Sequence, residues 1–457
     1  MKADIKNSPR LAAGTKRWGI PKGEKRELFS LGERGDLFPV RSQTIKKIFI
    51  AYSGGLDSHV LLHLLVQLRR AQPKLQLTAI HINHNLSLNA KQWTKHCKKI
   101  CKELCVECIV KNVNAKIKIK DHSPEEIARK LRYEAFVENL PKNAVLVTAH
   151  QANDQAETLL LQLFRGAGPK GLAAMPIKVK FGKGWLMRPL LSFSREELLQ
   201  YAKEYKLKWI EDESNADIKF RRNLIRHKLM PIIRKNWPGI TTTLNRVASL
   251  CAAANELLEN LAAEDLVKVI GEARATINIE ALKKLPPARQ GNVLRFWLHT
   301  LHLPTPSEAK LNEVIRTMVN SRSDASPVVG WQGTEIRRFQ NYLYAMSPLL
   351  LHDKKQVLRF DLKRPLKLPG NLGVLRAKVS KKFLADFKGK RFTVQFRQGG
   401  EKLKLSKRQG THELKKLMQE WQIPPWLRDR IPLVYCGSEI IAVIGCYCTG
   451  DAQFQLF

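Results

Sequence analysis

The segment Ser53-Gly54-Gly55-Leu56-Asp57-Ser58 has the residue types of a phosphate-binding turn. Two glycines let the backbone approach an anion closely, and the start of a following helix offers free N–H groups at the positive end of its dipole. The two serines add hydroxyl donors, and Asp57 can hold Mg²⁺ against phosphates. An apolar run at 48–51 precedes the turn and a helical pattern at 58–70 follows it, so the turn joins a strand to a helix. The spacing matches neither the Walker loop nor GxGxxG.

Two carboxylates, Asp154 and Glu157, stand at the start of another predicted helix. Residues three apart share a helix face, so this pair can bind one ammonium group and accept its proton. The alternative is an exposed first helical turn, where the dipole favours acidic side chains. A second acidic run, Glu211-Asp212-Glu213, either attracts an ammonium group or offsets nearby arginines, and the pattern leaves both alternatives open.

Histidine and cysteine patterns favour packing over metal chemistry. His59 and His63 lie one helical turn apart but lack the glutamate of the HExxH zinc motif. A zinc or iron–sulfur site is the alternative for four closely spaced cysteines. The first three repeat every four residues along a helix, which is the spacing of one buried face, and the fourth lies in the next predicted strand. Cysteine is among the most buried residue types, so we expect core packing. These residues are Cys97, Cys101, Cys105 and Cys108.

The composition indicates a folded protein with a polyanionic partner. Hydrophobic residues make up 44% of 457 residues, and the formal net charge is +38. Counterion release makes nucleic acid the expected partner for such a charge. The sequence contains no apolar run of about 18 residues, so it predicts no membrane-spanning helix. Residues 1–30 lack the apolar core of a secretory signal. Eight cysteines are too few for a disulfide scaffold, so we expect a reducing, cytoplasmic setting and no membrane partner.

The strongest candidate for RNA contact lies at 402–416. Its cations suit phosphate binding, and two tryptophans just beyond it either stack on bases or belong to a core. The cations are Lys402, Lys404, Lys407, Arg408, Lys415 and Lys416, and the tryptophans are Trp421 and Trp426.

The elements that position these residues alternate between strand and helix over the first half of the chain. Strands at 48–51, 77–82, 106–110 and 144–148, separated by helices, predict a parallel α/β sheet covered on both faces. The polar clusters at 53–58, 81–85 and 150–157 each follow a strand, so we expect them at one edge of the sheet. We predict a disordered leader at 1–43, an α/β domain at 44–229, a mostly helical middle domain at 230–350, and a small α/β C-terminal domain at 357–457.

The turn at 53–58 resembles the PP-loop of the ATP pyrophosphatase superfamily, and further motifs narrow the resemblance to the tRNA(Ile)-lysidine synthetase family. The resemblance covers about residues 45–457, in order. The motifs are His81-Ile82-Asn83-His84, Ala128-Arg129 with Arg132-Tyr133, Thr148-Ala149-His150, Asn153-Asp154-Gln155-Ala156-Glu157-Thr158, Arg165-Gly166, Arg188-Pro189-Leu190, Trp209-Ile210-Glu211-Asp212-Glu213-Ser214-Asn215, Arg222-Asn223 with Arg226, Leu414-Lys415-Lys416 and Pro424-Pro425-Trp426-Leu427-Arg428-Asp429.

This resemblance implies a two-step ligation. ATP activates C2 of the wobble cytidine in the CAU anticodon of an isoleucine tRNA, giving an adenylated base and pyrophosphate. The side-chain amine of free lysine then displaces AMP and forms lysidine, which changes the codon and amino-acid identity of the tRNA from methionine to isoleucine. ATP, lysine, this tRNA and Mg²⁺ are the implied substrates and cofactor, and the oligomeric state stays open, a homodimer included.

The resemblance also implies residue roles. Asp57, Asp154 and Glu157 would be catalytic, with Asp57 as metal ligand and the other two holding lysine. The turn and Arg165 would bind ATP. Many relatives carry two aspartates where this chain has Asn153-Asp154, so the carboxylate role falls on Asp154. The implied tRNA contacts are Arg222, Arg226, Lys402, Lys404, Lys415, Lys416 and Arg428.

Two other functions stay possible. A PP-loop tRNA thiolase needs a reactive cysteine pair or a cluster site, and the single CxxC here, Cys105 to Cys108, lies away from the expected strand ends. A non-catalytic basic RNA-binding protein leaves the turn and the Asp154/Glu157 pair unexplained.

Overall fold

The computed structural model describes residues 47–83, 89–113, 124–211, 218, 220–271, 275–320, 327–405 and 408–457. The expected leader at 1–43 lies outside these residues, as do His84, Asp212, Glu213 and Lys407. The chain divides into two compact units, Met1–Leu257 and Leu258–Phe457. In the described parts, no helix combines the length and the hydropathy that a bilayer crossing requires.

The first unit is built on a six-stranded sheet with the order β3-β2-β1-β4-β6-β5. All neighbours pair in parallel except β5, which forms an antiparallel hairpin with β6. The predicted parallel α/β sheet is therefore confirmed, with an antiparallel edge strand that the sequence did not reveal. The strands are β1 (Lys47–Ala51), β2 (Gln76–Asn83), β3 (Glu107–Asn112), β4 (Val145–Val147), β5 (Lys178–Phe181) and β6 (Gly184–Met187).

Helices cover both faces of this sheet because side chains alternate along each strand. Ile48 and Ile50 of β1 belong to one core together with α1, α2 and α6, whereas Phe49 packs with Phe136 and Leu140 on the other face. The helices of this unit are α1 (Leu56–Ala71), α2 (Ala90–Glu103), α3 (Pro124–Asn139), α4 (Ala152–Leu163), α5 (Pro169–Leu172), α6 (Arg195–Glu204), α7 (Arg221–Leu224) and α8 (Met230–Asn236). A π-helical turn, Ile225–Leu229, joins α7 to α8.

Local capping sets where two of these helices begin. Ser194 followed by Glu197 is a capping-box pattern in the sequence, and it caps α6 with both reciprocal hydrogen bonds present. Helix α4 begins at Ala152, two residues earlier than expected, because the Gln151 side chain accepts from Asn153 N and Asp154 accepts from Gln151 N. Asp154 thus occupies the third helical position rather than the first.

The second unit begins within the long helix α9 (Ile240–Val269). The predicted helices are present as α9, α10 (Ile279–Lys283), α11 (Pro287–Thr300) and α12 (Glu308–Val314), which continues as a π-helical turn, Ile315–Val319. They pack around buried Trp297 with an antiparallel sheet that the sequence did not reveal. Its order is β7 (Thr276–Asn278), β10 (Tyr342–Met346), β9 (Thr334–Phe339) and β8 (Val328–Trp331). Thr305 followed by Pro306 is the cap that the sequence predicts for this helix, but Ser307 caps α12, because its hydroxyl accepts from Lys310 N.

The last hundred residues are rich in sheet and have their own two cores. The helices here are α13 (Lys381–Asp386), α14 (Leu414–Glu420) and α15 (Pro425–Arg428). The strands are β11 (Leu358–Arg359), β12 (Leu366–Lys367), β13 (Val374–Lys378), β14 (Phe392–Gln395), β15 (Lys402–Lys404), β16 (Thr411–Glu413), β17 (Leu433–Cys436), β18 (Glu439–Val443), β19 (Tyr447–Cys448) and β20 (Gln453–Leu456). The predicted boundaries at residues 229 and 350 stay predictions.

Candidate active site

The turn between β1 and α1 is shaped by its own polar groups and by one glycine. Ser53 Oγ lies 3.0 Å from Ser58 Oγ, and the Ser58 hydroxyl donates to Gly55 O at 3.0 Å. Gly54 has a φ of +86°, a conformation that favours glycine. A Cβ on Gly54 would lie 2.8 Å from Cys97 Sγ, so a side chain has no room there either.

Helix α1 starts at this turn with its backbone donors free of side-chain caps. Gly55 occupies the N-cap position and has no side chain, so the first turn has no side-chain cap among the described residues. The first N–H groups of any α-helix have no partner within the helix. Together with the helix dipole, they make this end of α1 suited to a phosphate group.

Asp57 projects from the same first turn with one unsatisfied carboxylate oxygen. Its Oδ1 is buried without a hydrogen-bond partner among the described residues. Its Oδ2 lies 3.9 Å from the Arg195 guanidinium. Burial, and after it the charge of nearby Asp154, raises the pKa of Asp57 to about 6. A buried carboxylate oxygen without a partner fits a bound cation.

The donor set also limits what kind of cation fits. The described residues contain no group of three or more His, Cys, Asp or Glu side chains that could hold a metal ion. Mg²⁺ commonly takes one or two carboxylates and completes its shell with phosphates and water. Asp57 therefore fits Mg²⁺ bound together with a nucleotide, and it does not fit an all-protein metal cage.

The two carboxylates of α4 are buried, so the alternative of an exposed first turn is wrong. Asp154 is 9% exposed and Glu157 is 2% exposed. Asp154 Oδ2 accepts from Gln151 N at 3.0 Å, which fixes its position at the helix start. Its other oxygen, Oδ1, is directed to the same partners as Glu157. Burial without partners would cost each charge several kcal/mol.

Those partners are Arg222 of α7 and Arg226 of the following π-helical turn. Arg222 Nε donates to Glu157 Oε2 and Arg222 Nη2 to Asp154 Oδ1, both at 2.9 Å. Arg226 Nε donates to Glu157 Oε1 at 2.7 Å, and its Nη2 lies 2.8 Å from Glu157 Oε2 and 3.1 Å from Asp154 Oδ1. The four charges balance, and the guanidinium groups occupy the place predicted for a lysine ammonium.

The sequence assigned Arg222 and Arg226 to tRNA, but the structure places them on these carboxylates. Their side chains are only 20% and 27% exposed. They therefore do not belong to an open basic surface. A contact of either residue with tRNA stays a prediction, and the observed role of both is to neutralise Asp154 and Glu157.

A neutral histidine lies at the end of β4, beside four arginines. His150 Nδ1 is 2.8 Å from Thr148 Oγ1. Burial, followed by the nearby charges of Arg188, Arg222, Arg129 and Arg132, lowers the pKa of His150 to about 3. The imidazole therefore stays uncharged at neutral pH, and its surroundings favour an anion. The motif residues Arg129, Arg132 and Arg188 thus lie near enough to His150 for their charges to act on it, which their types alone did not indicate.

Some predicted site residues lie apart from this cluster. Arg165 is exposed beyond the end of α4, and no hydrogen bond or ion pair joins it to the turn in the described residues. Leu163 is already about 14 Å along the helix axis from Asp154, at about 1.5 Å per residue. The ATP contact of Arg165 stays a prediction. Arg195 was missed, because nothing in the sequence connects it to Asp57.

The predicted RNA-binding segment forms a small exposed hairpin and the helix after it. Lys402 and Lys404 lie on β15, and Lys415 and Lys416 lie on α14, all exposed. Arg428 is half-buried, and its Nε donates to Ile423 O at 2.8 Å. Its predicted tRNA contact therefore has to use its remaining guanidinium donors.

Neither tryptophan near this hairpin is free to stack on a base. Trp421 packs against a core that includes Leu403 and Leu417. Trp426 contacts the rings of Phe339 and Tyr344, and the Arg337 guanidinium lies 5.3 Å from its ring centroid. The core alternative is the one that the structure favours for both.

The histidine and cysteine patterns do not form a metal site in the described residues. His59 is buried, and His63 Nδ1 lies 2.9 Å from the Tyr201 hydroxyl. Cys97 and Cys101 are fully buried, whereas Cys105 is exposed. The expected packing role of the first two cysteines agrees with this.

Comparison with known protein families gives matches along most of the chain. A PP-loop domain model matches residues 34–233, a TilS substrate binding domain matches 277–344, and a TilS substrate C-terminal domain matches 392–455. Among solved structures, the chain is 20% identical to a U34-tRNA thiolase from Methanococcus maripaludis, with a TM-score of 0.40, over 46% of this chain and 72% of that one. That likeness is too distant to bear on function.

Curated relatives are much closer, and all three named here are called tRNA(Ile)-lysidine synthase. The protein of Coxiella burnetii is 44% identical over 88% of this chain and 89% of its own length. That of Legionella pneumophila strain Lens is 40% identical over 91% and 94%, and that of Yersinia pestis is 39% identical over 89% and 91%. At this level of identity and coverage, the chain belongs to the tRNA(Ile)-lysidine synthase family of enzymes.

Proposed function

We propose that this protein uses ATP to join lysine to C2 of the wobble cytidine in an isoleucine tRNA with a CAU anticodon. The base first attacks the α-phosphate of ATP through its C2 oxygen, and pyrophosphate leaves. The side-chain amine of lysine then attacks C2, and AMP leaves with that oxygen. The product, lysidine, pairs with A instead of G, and the tRNA changes from methionine to isoleucine identity. We place the reaction in the cytoplasm, where ATP and tRNA are available.

The first step needs groups that stabilise the departing pyrophosphate. The turn supplies the free amides of α1 and the hydroxyl groups of Ser53 and Ser58. Preorganised donors of this kind stabilise charge that develops in the transition state. We assign Ser53, Gly54, Gly55, Leu56 and Ser58 to this role, with Arg165 as a further predicted contact.

Asp57 is the proposed metal ligand of this step. Its Oδ1 is buried without a hydrogen-bond partner in the described residues, which supports a cation at that atom. Bound Mg²⁺ supplies neutralisation of the phosphate charge. The carboxylate must be ionised to hold it, and with a pKa of about 6 Asp57 is mostly ionised at neutral pH.

The second step needs a lysine amine without its extra proton. The free ammonium has a pKa near 10.4, so it must lose a proton before it attacks. Asp154 and Glu157 are the proposed ammonium-binding groups, because both are buried carboxylates with oxygens directed to one place. Arg222 and Arg226 now fill that place, so lysine has to displace part of their contacts. Guanidinium groups left beside the ammonium lower its pKa and favour transfer of the proton to a carboxylate.

The tRNA body requires contacts beyond this site. We propose that the exposed lysines Lys402, Lys404, Lys415 and Lys416 hold tRNA phosphates, which agrees with the net charge of +38. Three arginines are secondary candidates for contact with tRNA, because carboxylate or carbonyl oxygens already accept from some of their N–H groups. They are the half-buried Arg428 and the pair Arg222 and Arg226. The middle and C-terminal regions, 230–350 and 357–457, would thus hold the tRNA while 44–229 carries the chemistry.

The observation that carries this proposal is the joint presence of the phosphate-binding turn and the buried carboxylates in a member of this family. The test is incubation of the protein with ATP, Mg²⁺, labelled lysine and the CAU isoleucine tRNA, followed by mass spectrometry of the tRNA nucleosides. Labelled lysidine without any sulfur donor supports the proposal and excludes the thiolase. Methionine tRNA is the matched control. If pyrophosphate is not released in the presence of both tRNA and ATP, the non-catalytic RNA-binding alternative replaces this one.

A further inference from the structure

The hairpin of β5 and β6 carries positive charge that the proposed chemistry does not use. Residues 158–195 contain seven Lys or Arg and no Asp or Glu. Three of these cations, Lys178, Lys180 and Lys183, lie on the hairpin itself and form what we call the β5 cation row. Lys180 and Lys183 are exposed, and Lys178 is half-buried. Among the described residues, no carboxylate forms an ion pair with any of the three.

Two of these lysines are held in place by one aromatic ring. Lys180 pairs with Trp185 across the antiparallel hairpin, and Lys178 is the diagonal neighbour of Trp185 on the same face of the sheet. The ammonium nitrogens of Lys178 and Lys180 lie 4.3 Å and 4.5 Å from the centre of the Trp185 ring. Cation–π attraction favours both contacts. Two like charges are thus kept side by side without a carboxylate, which favours an anion as their third partner.

The β5 cation row begins at the edge of the sheet that carries the candidate active site. Lys178 is the first residue of β5 and pairs with Met187, the last residue of β6. Met187 in turn pairs with Val147 at the end of β4, the strand that leads into α4. Lys180 lies about 7 Å further along β5, at about 3.4 Å per residue, and Lys183 lies in the turn beyond. The row therefore runs away from the site along the outermost strand.

Hydrogen bonds fix the start of this row to the helix that carries the buried carboxylates. Gln155 of α4 binds Met175 through both amide atoms, since Nε2 donates to Met175 O at 2.9 Å and Oε1 accepts from Met175 N at 3.0 Å. Arg188 Nη1 donates to Pro176 O at 2.7 Å, and Arg188 N donates to Ile177 O at 2.9 Å. The chain that enters β5 is therefore held in register with α4, and a ligand on the row has a defined position relative to the site.

We propose that the β5 cation row binds phosphates of the anticodon stem of the tRNA and thereby positions the wobble base at the site. This inference rests on the proposed function, in which the tRNA reacts at its anticodon. The nucleotides on either side of the reacting base must leave the site along its rim, and the row is a charged path that starts there. Lysine ammonium groups suit phosphate oxygens, and phosphate contacts fix the orientation of a nucleic acid without reading its sequence.

Lysines on an outer strand also have a purely structural use. β5 is the last strand of its sheet, and charged side chains keep such a strand from pairing with another chain. That use requires neither a ring that fixes two ammonium groups nor a further cation in the turn. It predicts that loss of the lysines causes self-association and leaves the affinity for RNA unchanged, so the two roles can be separated.

The test measures the affinity of the full chain for an isolated anticodon stem–loop RNA at several salt concentrations. Lys178→Gln with Lys180→Gln should lower this affinity about tenfold or more at about 0.1 M salt. The slope of log affinity against log salt should fall by about 2, because each lost phosphate contact contributes about 0.9. Lys178→Arg with Lys180→Arg keeps both charges and should restore both values. Binding of the stem–loop needs no chemistry, so failure of the proposed function would appear separately, as absence of lysidine with the wild-type protein.

Two further variants make the test specific to this row. Lys98→Gln with Lys99→Gln is the matched control, because it makes the same change of charge at exposed positions of α2, which packs against β2 and β3 at the other side of the sheet. Lys183→Gln removes a cation without a ring contact, so it tests the row even if the double variant unfolds, and it should reduce the slope by about 1.

Thermal unfolding shows whether each variant keeps its fold. An unchanged salt slope in the folded Gln variants of the row, or an equal loss of affinity in the α2 control, would overturn the proposal. Self-association of the double variant with wild-type affinity for the stem–loop would overturn it as well, in favour of the structural use.

Discussion

Replacing Asp57 with asparagine should remove ATP turnover and at the same time stabilise the first unit of the fold. The side chain is 23% exposed, and its Oδ1 is buried without a partner among the described residues. Burial and the charge of Asp154 raise the pKa of Asp57 from 3.8 to about 6. The folded protein therefore holds an ionised carboxylate that would be more stable in the unfolded chain. An amide of the same shape carries no such penalty.

The size of this stabilisation follows from the difference between the two pKa values. The pKa of Asp57 is higher in the folded than in the unfolded protein, so below about pH 3.8 this group does not lower the free energy of unfolding. Above that pH the free energy of unfolding falls as the pH rises through about 6. At 1.36 kcal/mol per unit, the penalty reaches about 3 kcal/mol at pH 8, about 1.5 kcal/mol at pH 5 and nearly zero at pH 3. Asp57→Asn should recover about these amounts, so its advantage grows with pH.

The assay is urea unfolding in Mg²⁺-free buffer at pH 5 and pH 8, followed by hydrogen exchange in peptides from β1 and α1. Glu138→Gln is the matched control, because it makes the same change of charge at an exposed position of the same unit. Addition of ATP and Mg²⁺ should stabilise the wild-type protein alone, so that the wild type becomes more stable than Asp57→Asn. A pH-independent gain, or a gain no larger than that of the control, would refute the assigned burial and charge of Asp57.

Three further changes test other parts of the site. Gly54→Ala should weaken ATP binding about tenfold or more in an equilibrium titration, since positive φ costs about 1–2 kcal/mol and the Cys97 contact adds to it. It should also cost more stability than Gly389→Ala, where φ is +78° and no atom lies within 4 Å of an added Cβ, and an equal loss of stability in both variants would contradict the contact argument. Glu157→Gln should destabilise the first unit by about 3 kcal/mol or more, because it removes one charge from a buried ion pair. It should also reduce lysine incorporation more strongly than tRNA-dependent pyrophosphate release. An equal loss of the two activities would place lysine binding elsewhere. Lys402→Ala with Lys404→Ala should reduce the slope of log affinity for tRNA against log salt by about 1 for each lysine, and an unchanged slope would remove this hairpin from the tRNA contacts.

Much of the first unit could be predicted because its signals are local. The apolar run of β1, the glycines of the turn and the helical pattern of α1 are contiguous, and β-strand alternation with helices restricts the sheet to a parallel one. The four-stranded sheet of the second unit was missed, because its strands are short and its β7 strand pairs across more than sixty residues, as Asn278 does with Tyr342. At α12 two candidate cap residues, Thr305 and Ser307, competed, and the sequence does not show which one the helix uses.

The sequence could nominate individual carboxylates of the candidate site but not their arrangement, and their roles stay predictions. Asp57, Asp154 and Glu157 were identified from their positions at helix starts, which a local pattern can show. Their partners Arg195, Arg222 and Arg226 come from elements far along the chain, and no local rule states that a guanidinium will meet a given carboxylate. Tertiary packing also decided that Asp154 and Glu157 are buried, which their exposed-looking acidic pattern did not indicate.

The π-helical turn at Ile225–Leu229 carries Arg226, and it affects which deletions the protein tolerates. A π-helical turn holds one more residue than the regular spiral needs, so loss of a single codon here would repair the backbone ladder into an ordinary helix. Because the π-helical turn absorbs this extra residue, its loss would leave the helices on either side in nearly the same orientation. A deletion between Arg222 and Arg226 would nevertheless change their spacing from four residues to three, so the two guanidinium groups could no longer both keep their present contacts with Asp154 and Glu157. Homologues that differ in length should therefore place their gaps elsewhere.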